Sequence, residues 1–338
     1  MTTNRRSFIK LFGLAGCAAA GGVALANYDR MESLLFSGKY RVSASKSAIG
    51  TRVDITAIGP SRYATEDAVQ AAFEDVAEME RLLSRYDRKS PVCELNAEGC
   101  LERLPEPLEA LCRTCDAFYR ETDGAFDITV APLTDLFKAC ALEGRTPSEA
   151  EIAERTARMG RDRLSFDGTK LVLSPGTQLT FDGCAPGLVA DRAASVLARH
   201  GITDFLVNAG GEIRTSGAPR HAEKWRIAIQ DPMKQGQYPG FLALNAGAVS
   251  TSGNYEIYYG DERQFHHIVD ARTGRSPNAM TSVTVTAPTA LEADILSTAL
   301  FVMSPEEALA YVQAHPHVAC LLVTQEGARI ASPHFAMA

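Results

Sequence analysis

Residues Gly247–Val302 read GAVSTSGNYEIYYGDERQFHHIVDARTGRSPNAMTSVTVTAPTALEADILSTALFV, a succession of strand, loop, strand and helix. Thr281–Ala287 alternates, with Val283 and Val285 on one side and threonines on the other, the period of a half-buried strand. Pro288 ends it. Thr289 followed by Glu292 is a Thr-x-x-Glu capping box, which starts a helix by giving partners to its first backbone N–H groups. On that helix Asp294 and Thr298 are four residues apart and share a face. A carboxylate and a hydroxyl are hard oxygen ligands of the kind Mg2+ takes, although such a pair taken alone is more often a solvated helix face. Ser250–Tyr255 reads as a polar, glycine-containing turn after an apolar strand. His266-His267-Ile268-Val269-Asp270 places two imidazoles before a β-branched pair, and Thr273-Gly274 makes a turn. Polar groups carried on turns between strands are where binding sites are usually built.

Outward from this stretch, the chain of 338 residues is long enough for one large or two modest domains, with 46% hydrophobic and 22% charged residues, as in an ordinary globular protein. A net charge of −7 argues against nucleic acid as a general partner. No apolar run of about 20 residues lies in the body of the chain, so no membrane-spanning helix is expected there. The N-terminus is different. Arg5-Arg6-Ser7-Phe8-Ile9-Lys10 is a twin-arginine motif, followed by a mildly apolar Leu11–Ala26. Ala24-Leu25-Ala26 fits a small-x-small cleavage site, so residues 1–26 read as a twin-arginine signal peptide and 27–338 as the folded domain, delivered to the periplasm. Leu14-Ala15-Gly16-Cys17 leaves a second reading open, lipidation at Cys17 and attachment to the inner membrane; only that reading implies membrane contact.

Eight cysteines are present, seven once the signal is removed, and an odd number excludes a fully paired disulfide framework within one chain. Cys112-x-x-Cys115 has redox or zinc spacing. It falls in the helical pattern Leu108, Leu111, Cys112, Cys115, Phe118, Tyr119, with both thiols on the apolar face, which reads as core. No second CxxC or spaced histidine completes a zinc site.

Thr65–Leu83 is a strong amphipathic helix, and Leu108–Glu121 and Pro147–Gly160 are further helices. Val53, Ile55 and Ala57 alternate with Asp54 and Thr56 in a strand entered through Ile49-Gly50-Thr51. Asp127 and Thr129 fall on one face of an extended segment and could hold a ribose or ring edge. Lys170–Ser174 and Thr177–Phe181 read as a hairpin around Pro175-Gly176. A helix after Gly183 stops at Gly201, and Pro186 fits its first turn. Asp204–Asn208 is a strand ending at Gly210-Gly211-Glu212, which is not a Rossmann turn because no helix follows. Trp225–Gln230 and Gly240–Ala248 are alternating strands; Pro305–His315 is a helix and Ala319–Thr324 a strand. Strands and helices alternate irregularly, with several hairpins, so the fold class is α+β, with mixed or antiparallel sheets and packed helices.

V-S-T-S-G-N-Y-E (249–256), H-H-I-V-D-A-R-T-G (266–274) and A-D-I-L-S-T-A-L-F (293–301), in this order and spacing, closely resemble the ApbE-type flavin transferases, the FAD:protein FMN transferases. The resemblance implies an ApbE-like fold and an enzyme that uses Mg2+ to split FAD, moves FMN to a threonine hydroxyl of an acceptor flavoprotein, and releases AMP. It implies metal binding by Asp294, Thr298 and the Gly183 carbonyl. It implies flavin contacts at Ile49, where the family writes Met, at Tyr86 in the loop after the first helix, at Ala125, Phe126 and Asp127 in a G-x-F-D-x-T-V-x-P-L-like segment, and at Thr180, Pro186 and Ile268. His267 is the candidate general base, or else it positions a phosphate. The family's D-x-G-G-I-A-K-G-Y-A-x-D is altered here: Thr180, Pro186 and Leu188 replace its first Asp, its Lys and its Tyr. Thr180 is shared with the NosX-like proteins linked to nitrous oxide reduction, which this chain resembles. The losses leave an alternative, a flavin-binding or flavin-delivery protein without catalysis that supports a periplasmic redox system.

Overall fold

The structure, a computed structural model, describes residues 38–219, 222–232, 236, 238–259 and 265–338. The twin-arginine segment, Ala24–Ala26 and Cys17 lie outside the described residues. Eight strands form one sheet in chain order: β1 (Tyr40–Ala48), β2 (Thr51–Gly59), β3 (Asp204–Ala209), β4 (Glu212–Ser216), β5 (Gly247–Gly253), β6 (Met280–Ala287), β7 (Ala319–Thr324) and β8 (Arg329–Ala331). Every neighbouring pair is antiparallel. The helices are α1 (Arg62–Leu83), α2 (Pro91–Glu98), α3 (Glu106–Glu121), α4 (Ala131–Leu142), α5 (Glu149–Thr156), α6 (Ala185–Arg199), α7 (Ala290–Val302) and α8 (Pro305–Ala314). The α+β class is as expected.

Both faces of the sheet are covered. On one, α1, α6 and α7 pack against Val53, Ile55, Val207, Val283 and Val285 in the larger core. On the other, the strand pair Trp225–Ala228 and Phe241–Leu244 covers Ile58, Leu206, Val249 and Leu321. This corrects the half-buried reading of Thr281–Ala287: Ser282 and Thr284 are as buried as the valines beside them. It also divides the expected strand Gly240–Ala248 in two, since Phe241–Leu244 lies in the covering pair and Gly247 opens β5 in the main sheet.

Three other expectations change for local reasons. The chain before β2 is itself a strand, β1, mostly exposed at the sheet edge and therefore without a marked apolar period. The two-residue turn between them carries φ of 47° at Ile49 and 74° at Gly50, both left-handed, as tight hairpins require. Residues 125–130 are not extended. Asp127 Oδ1 accepts both the Thr129 N–H (2.7 Å) and its hydroxyl (2.6 Å), which folds the segment into a turn that runs into α4. The hairpin around Pro175-Gly176 is replaced by Leu164–Phe166 pairing with Leu171–Leu173. Residues 177–181 are instead held by the Asn96 side chain, which bonds the Leu179 N–H and carbonyl.

Candidate functional site

Ten of the thirteen residues of α7 are buried, because it lies between α6 and strands β5 and β6. Thr289 caps it, its hydroxyl accepting the Glu292 N–H at 3.2 Å. Of the expected box, only that half forms; Glu292 pairs with His317 at 2.9 Å. Asp191 on α6 completes the start of α7 by accepting the N–H groups of Ala290 and Leu291, each at 2.9 Å. The two helices are in near contact at Gly187, where a Cβ would lie 2.4 Å from the Ala290 carbonyl oxygen. That approach lets the Gly187 N–H reach Asp294 Oδ2 at 2.9 Å. Burial, offset in part by this bond and increased by Asp191, pushes the Asp294 carboxyl up to about 7. Burial and Asp294 likewise raise the Glu212 carboxyl well above the carboxylate range.

The structure brings Gly183 to the same corner. A Cβ on Gly183 would lie 3.5 Å from Thr298 Oγ1 and 3.7 Å from the Phe126 ring, so the loop before α6, α7 and the 125–127 turn meet there. Among the described residues no group of three or more His, Cys, Asp or Glu side chains could hold a metal ion. Asp294 and the Thr298 hydroxyl, one helical turn apart on α7, with Gly183 beside Thr298, are hard-oxygen groups carrying one charge that could serve a Mg2+ keeping water or phosphate in its remaining positions.

The adjacent histidines are locked in opposite ways. His266 is fully buried; its Nε2 contacts the Pro277 carbonyl at 2.9 Å and its Nδ1 has no partner. Burial holds it down at about 4, so it is a neutral packing residue against Phe301. His267 Nδ1 lies 3.0 Å from the Ile257 carbonyl. A carbonyl only accepts, so the proton sits on Nδ1 and the Nε2 lone pair is left available. Burial lowers the His267 pKa, against the Ile257 bond and the nearby Glu256 and Asp182 carboxylates. A neutral imidazole with a free Nε2 has the form of a general base.

The expected flavin residues divide into two groups. Ala125, Phe126 and Ile268 are buried in the main core, and Thr180 is buried with its N–H on the Ile128 carbonyl at 2.8 Å. Pro186 stands half-buried in the first turn of α6. Asp127 is tied to Thr129 through Oδ1, and its Oδ2 is buried without a partner. Tyr86 lies on the rim, 69% exposed, with Arg85 and Lys138 over its ring. Tyr259 joins it there: burial raises its hydroxyl, and Tyr86, Asp135 and Asp182 raise it further. Ile49 sits in the β1–β2 turn, its N–H bonded to Glu80 on α1 at 2.8 Å.

Sequence reading missed Ser250, Ser252 and Ser297. β5 continues through Gly253, so Ser250–Gly253 is strand rather than turn, and the turn begins at Asn254. Their spacing held the signal: Ser250 and Ser252 are two apart on a strand, hence on one face. Both reach Ser297 on α7, at 3.1 and 2.8 Å. Cys112 and Cys115 are buried core residues, as expected, and Cys115 Sγ lies 3.8 Å from Cys184 Sγ.

A model of the ApbE family matches residues 49–322. The chain is 33% identical to the FAD:protein FMN transferase of Escherichia coli K12 over 260 residues, 73% of this chain and 74% of that protein. It is 30% identical to the protein of the same name from Salmonella typhimurium over 333 residues, 94% and 93% of the two chains. The crystal structure of the ApbE protein of Thermotoga maritima superposes with a TM-score of 0.78 at 31% identity, covering 87% of this chain and 98% of that one. The flavin transferase ApbE of Vibrio cholerae does so with 0.76 at 26%, covering 88% and 98%. On a family match of this length, together with relatives at 30% identity or more, the chain belongs to the ApbE family.

Proposed function

We propose that this chain is an FAD:protein FMN transferase that moves FMN from FAD to a threonine hydroxyl of an acceptor flavoprotein and releases AMP. The observation that carries this reading is the corner formed by Asp294, Thr298 and Gly183, a hard-oxygen set with a desolvated acid, in a chain whose relatives bear that name. Those three residues would hold Mg2+, which when bound neutralises charge on a diphosphate. The chain's own part in the transfer is to hold the acceptor and take its proton. The acceptor oxygen attacks the FMN phosphorus, the bond to the AMP phosphate breaks, and the hydroxyl proton goes to His267 Nε2. Tyr86, exposed at the rim, suits contact with a flavin ring, while Phe126 and Ile268 are buried in the core behind it. The twin-arginine reading of residues 1–26 supports a periplasmic acceptor and location, and fractionation of cells expressing the full chain tests it: recovery only in the cytoplasm removes it.

Thr180, Pro186 and Leu188 favour a second reading, a flavin carrier without catalysis, because each replaces a polar family residue. One incubation separates the two. With FAD, Mg2+ and a threonine-containing acceptor, the enzyme yields a covalently fluorescent acceptor and one AMP per label. A carrier binds FAD and yields neither.

A further inference from the structure

The hydroxyls behind the Asp294–Thr298 face form a network whose protons can be counted. Ser297 Oγ lies 3.0 Å from the Asp294 backbone carbonyl, which can only accept, so Ser297 donates there. With its one proton so placed, Ser297 must accept from Ser252 Oγ at 2.8 Å. Ser252 then has no proton left for Thr298, so across the 3.3 Å contact Thr298 donates to Ser252. The Thr298 O–H is thereby turned toward β5, and its lone pairs are left for the side where Gly183 stands. A helical threonine commonly donates to the carbonyl four residues back. Here that carbonyl belongs to Asp294 and is held by Ser297. The same count makes Ser250 a donor to Ser297 at 3.1 Å, which leaves it no proton for Glu212 Oε1, 3.4 Å away.

A hydroxyl ligates a cation through a lone pair, and its proton must point elsewhere. We propose that Ser252 and Ser297 are positioning residues that fix the Thr298 hydroxyl as a pure acceptor toward a divalent cation. The inference rests on the metal site of the proposed function. It requires Ser252 on the same strand face as Ser250, and Ser297 one position before Thr298, as β5 and α7 place them.

The test is Mn2+ binding to the full chain, read from the electron paramagnetic resonance of free Mn2+, in wild type, Ser252→Ala, Ser252→Thr and Thr298→Ala. Melting temperatures establish that each variant is folded. Outer residues that orient metal ligands typically contribute about 10–100-fold to affinity. Ser252→Ala should therefore weaken Mn2+ binding by about tenfold or more. Ser252→Thr, which keeps the hydroxyl, should restore it, and cation-free FAD binding should not change in either. Wild-type Mn2+ affinity in Ser252→Ala, with loss in Thr298→Ala, overturns the inference and leaves the metal site standing. Equal weakening in Ser252→Ala and Ser252→Thr also overturns it, as a packing effect. Wild-type affinity in Thr298→Ala removes the metal site and the inference with it.

Discussion

Gly183 and Cys184 are consecutive, yet they border opposite kinds of interior. Gly183 adjoins Thr298, where the buried groups are Asp294, Ser297 and Ser250, with Ser252 half-buried beside them. Cys184 adjoins Cys115 and the apolar core. Each wall has a buried titratable group, and burial acts on the two differently. Burial raises the Cys112 and Cys184 thiols, which only keeps them in the neutral form they already prefer, so they behave as small hydrophobes. Burial of Asp294 opposes its charged form, and one backbone N–H from Gly187 offsets that only in part. On the proposed function, reactivity belongs to the wall whose electrostatics a bound cation would complete.

The largest effect should come from the oxygen wall. Asp294→Ala should reduce FMN transfer by about 10²-fold or more, the scale of losing one key electrostatic contact to a reacting group. Circular dichroism should show the fold retained. Transfer that persists in this variant with cation still bound would break the assignment of Asp294.

His267→Ala should cost about 10²-fold as well, the lower range for a general base. Its pH dependence sharpens the point. The base works when neutral, and burial holds its pKa below the ordinary value of 6.5. The acid limb of the rate of transfer at saturating Mg2+ should therefore be centred below 6.5. An acid limb centred at or above 6.5 would contradict a base kept neutral by burial.

The wall's charge should also be visible in stability. The folded pKa of Asp294 is raised from 3.8 to about 7, so the fold favours its protonated form. Its contribution is fully present below the unfolded value and is lost as pH rises from about 4 through about 7. A cation that pairs with the ionised form reverses this. At about 100 times its Kd it should add about 2.7 kcal/mol at pH 8, and clearly less at pH 5, where Asp294 holds its proton. Calorimetric melts with and without Mg2+ measure the difference. The same stabilisation at both pH values would place the cation away from Asp294.

Part of the oxygen wall was legible because it follows the helical period, Asp294 and Thr298 one turn apart with Thr289 as cap; the histidine pair was legible separately, from its place before a β-branched pair. What was misread depended on partners distant in the chain. Ser250–Gly253 looks like a turn because its residues are small and polar; it is strand because its backbone pairs with Ser282–Val285 of β6, while Ser297 on α7 gives the Ser250 and Ser252 hydroxyls partners. Asp127-Ile128-Thr129-Val130 alternates like a strand, but a side-chain bond to its own backbone two residues on bends it first. Pro175-Gly176 is a turn, yet Asp167, accepting the N–H groups of Thr169 and Lys170, sets the competing turn that joins Leu164–Phe166 to Leu171–Leu173. Asp191 gave no local sign of capping α7, because the helix it caps begins 99 residues later.

The smallest effect should come from the thiol wall. Cys115→Ala removes a sulfur from the core beside Cys184 without touching a hydrogen-bonded carboxylate or hydroxyl. It should cost about 1 kcal/mol of stability, the middle of the usual range for a buried truncation of this size. Transfer and cation affinity should stay within about twofold of wild type, since a neutral thiol offers neither charge nor a hard oxygen. Denaturant melts, run beside the transfer assay, separate the two readouts. Cys184 lies next to Gly183, so the result bears directly on the contrast between the walls. If transfer fell in Cys115→Ala as far as in Asp294→Ala, packing behind the loop would be setting the Gly183 carbonyl, and the two walls would have to be treated as one device.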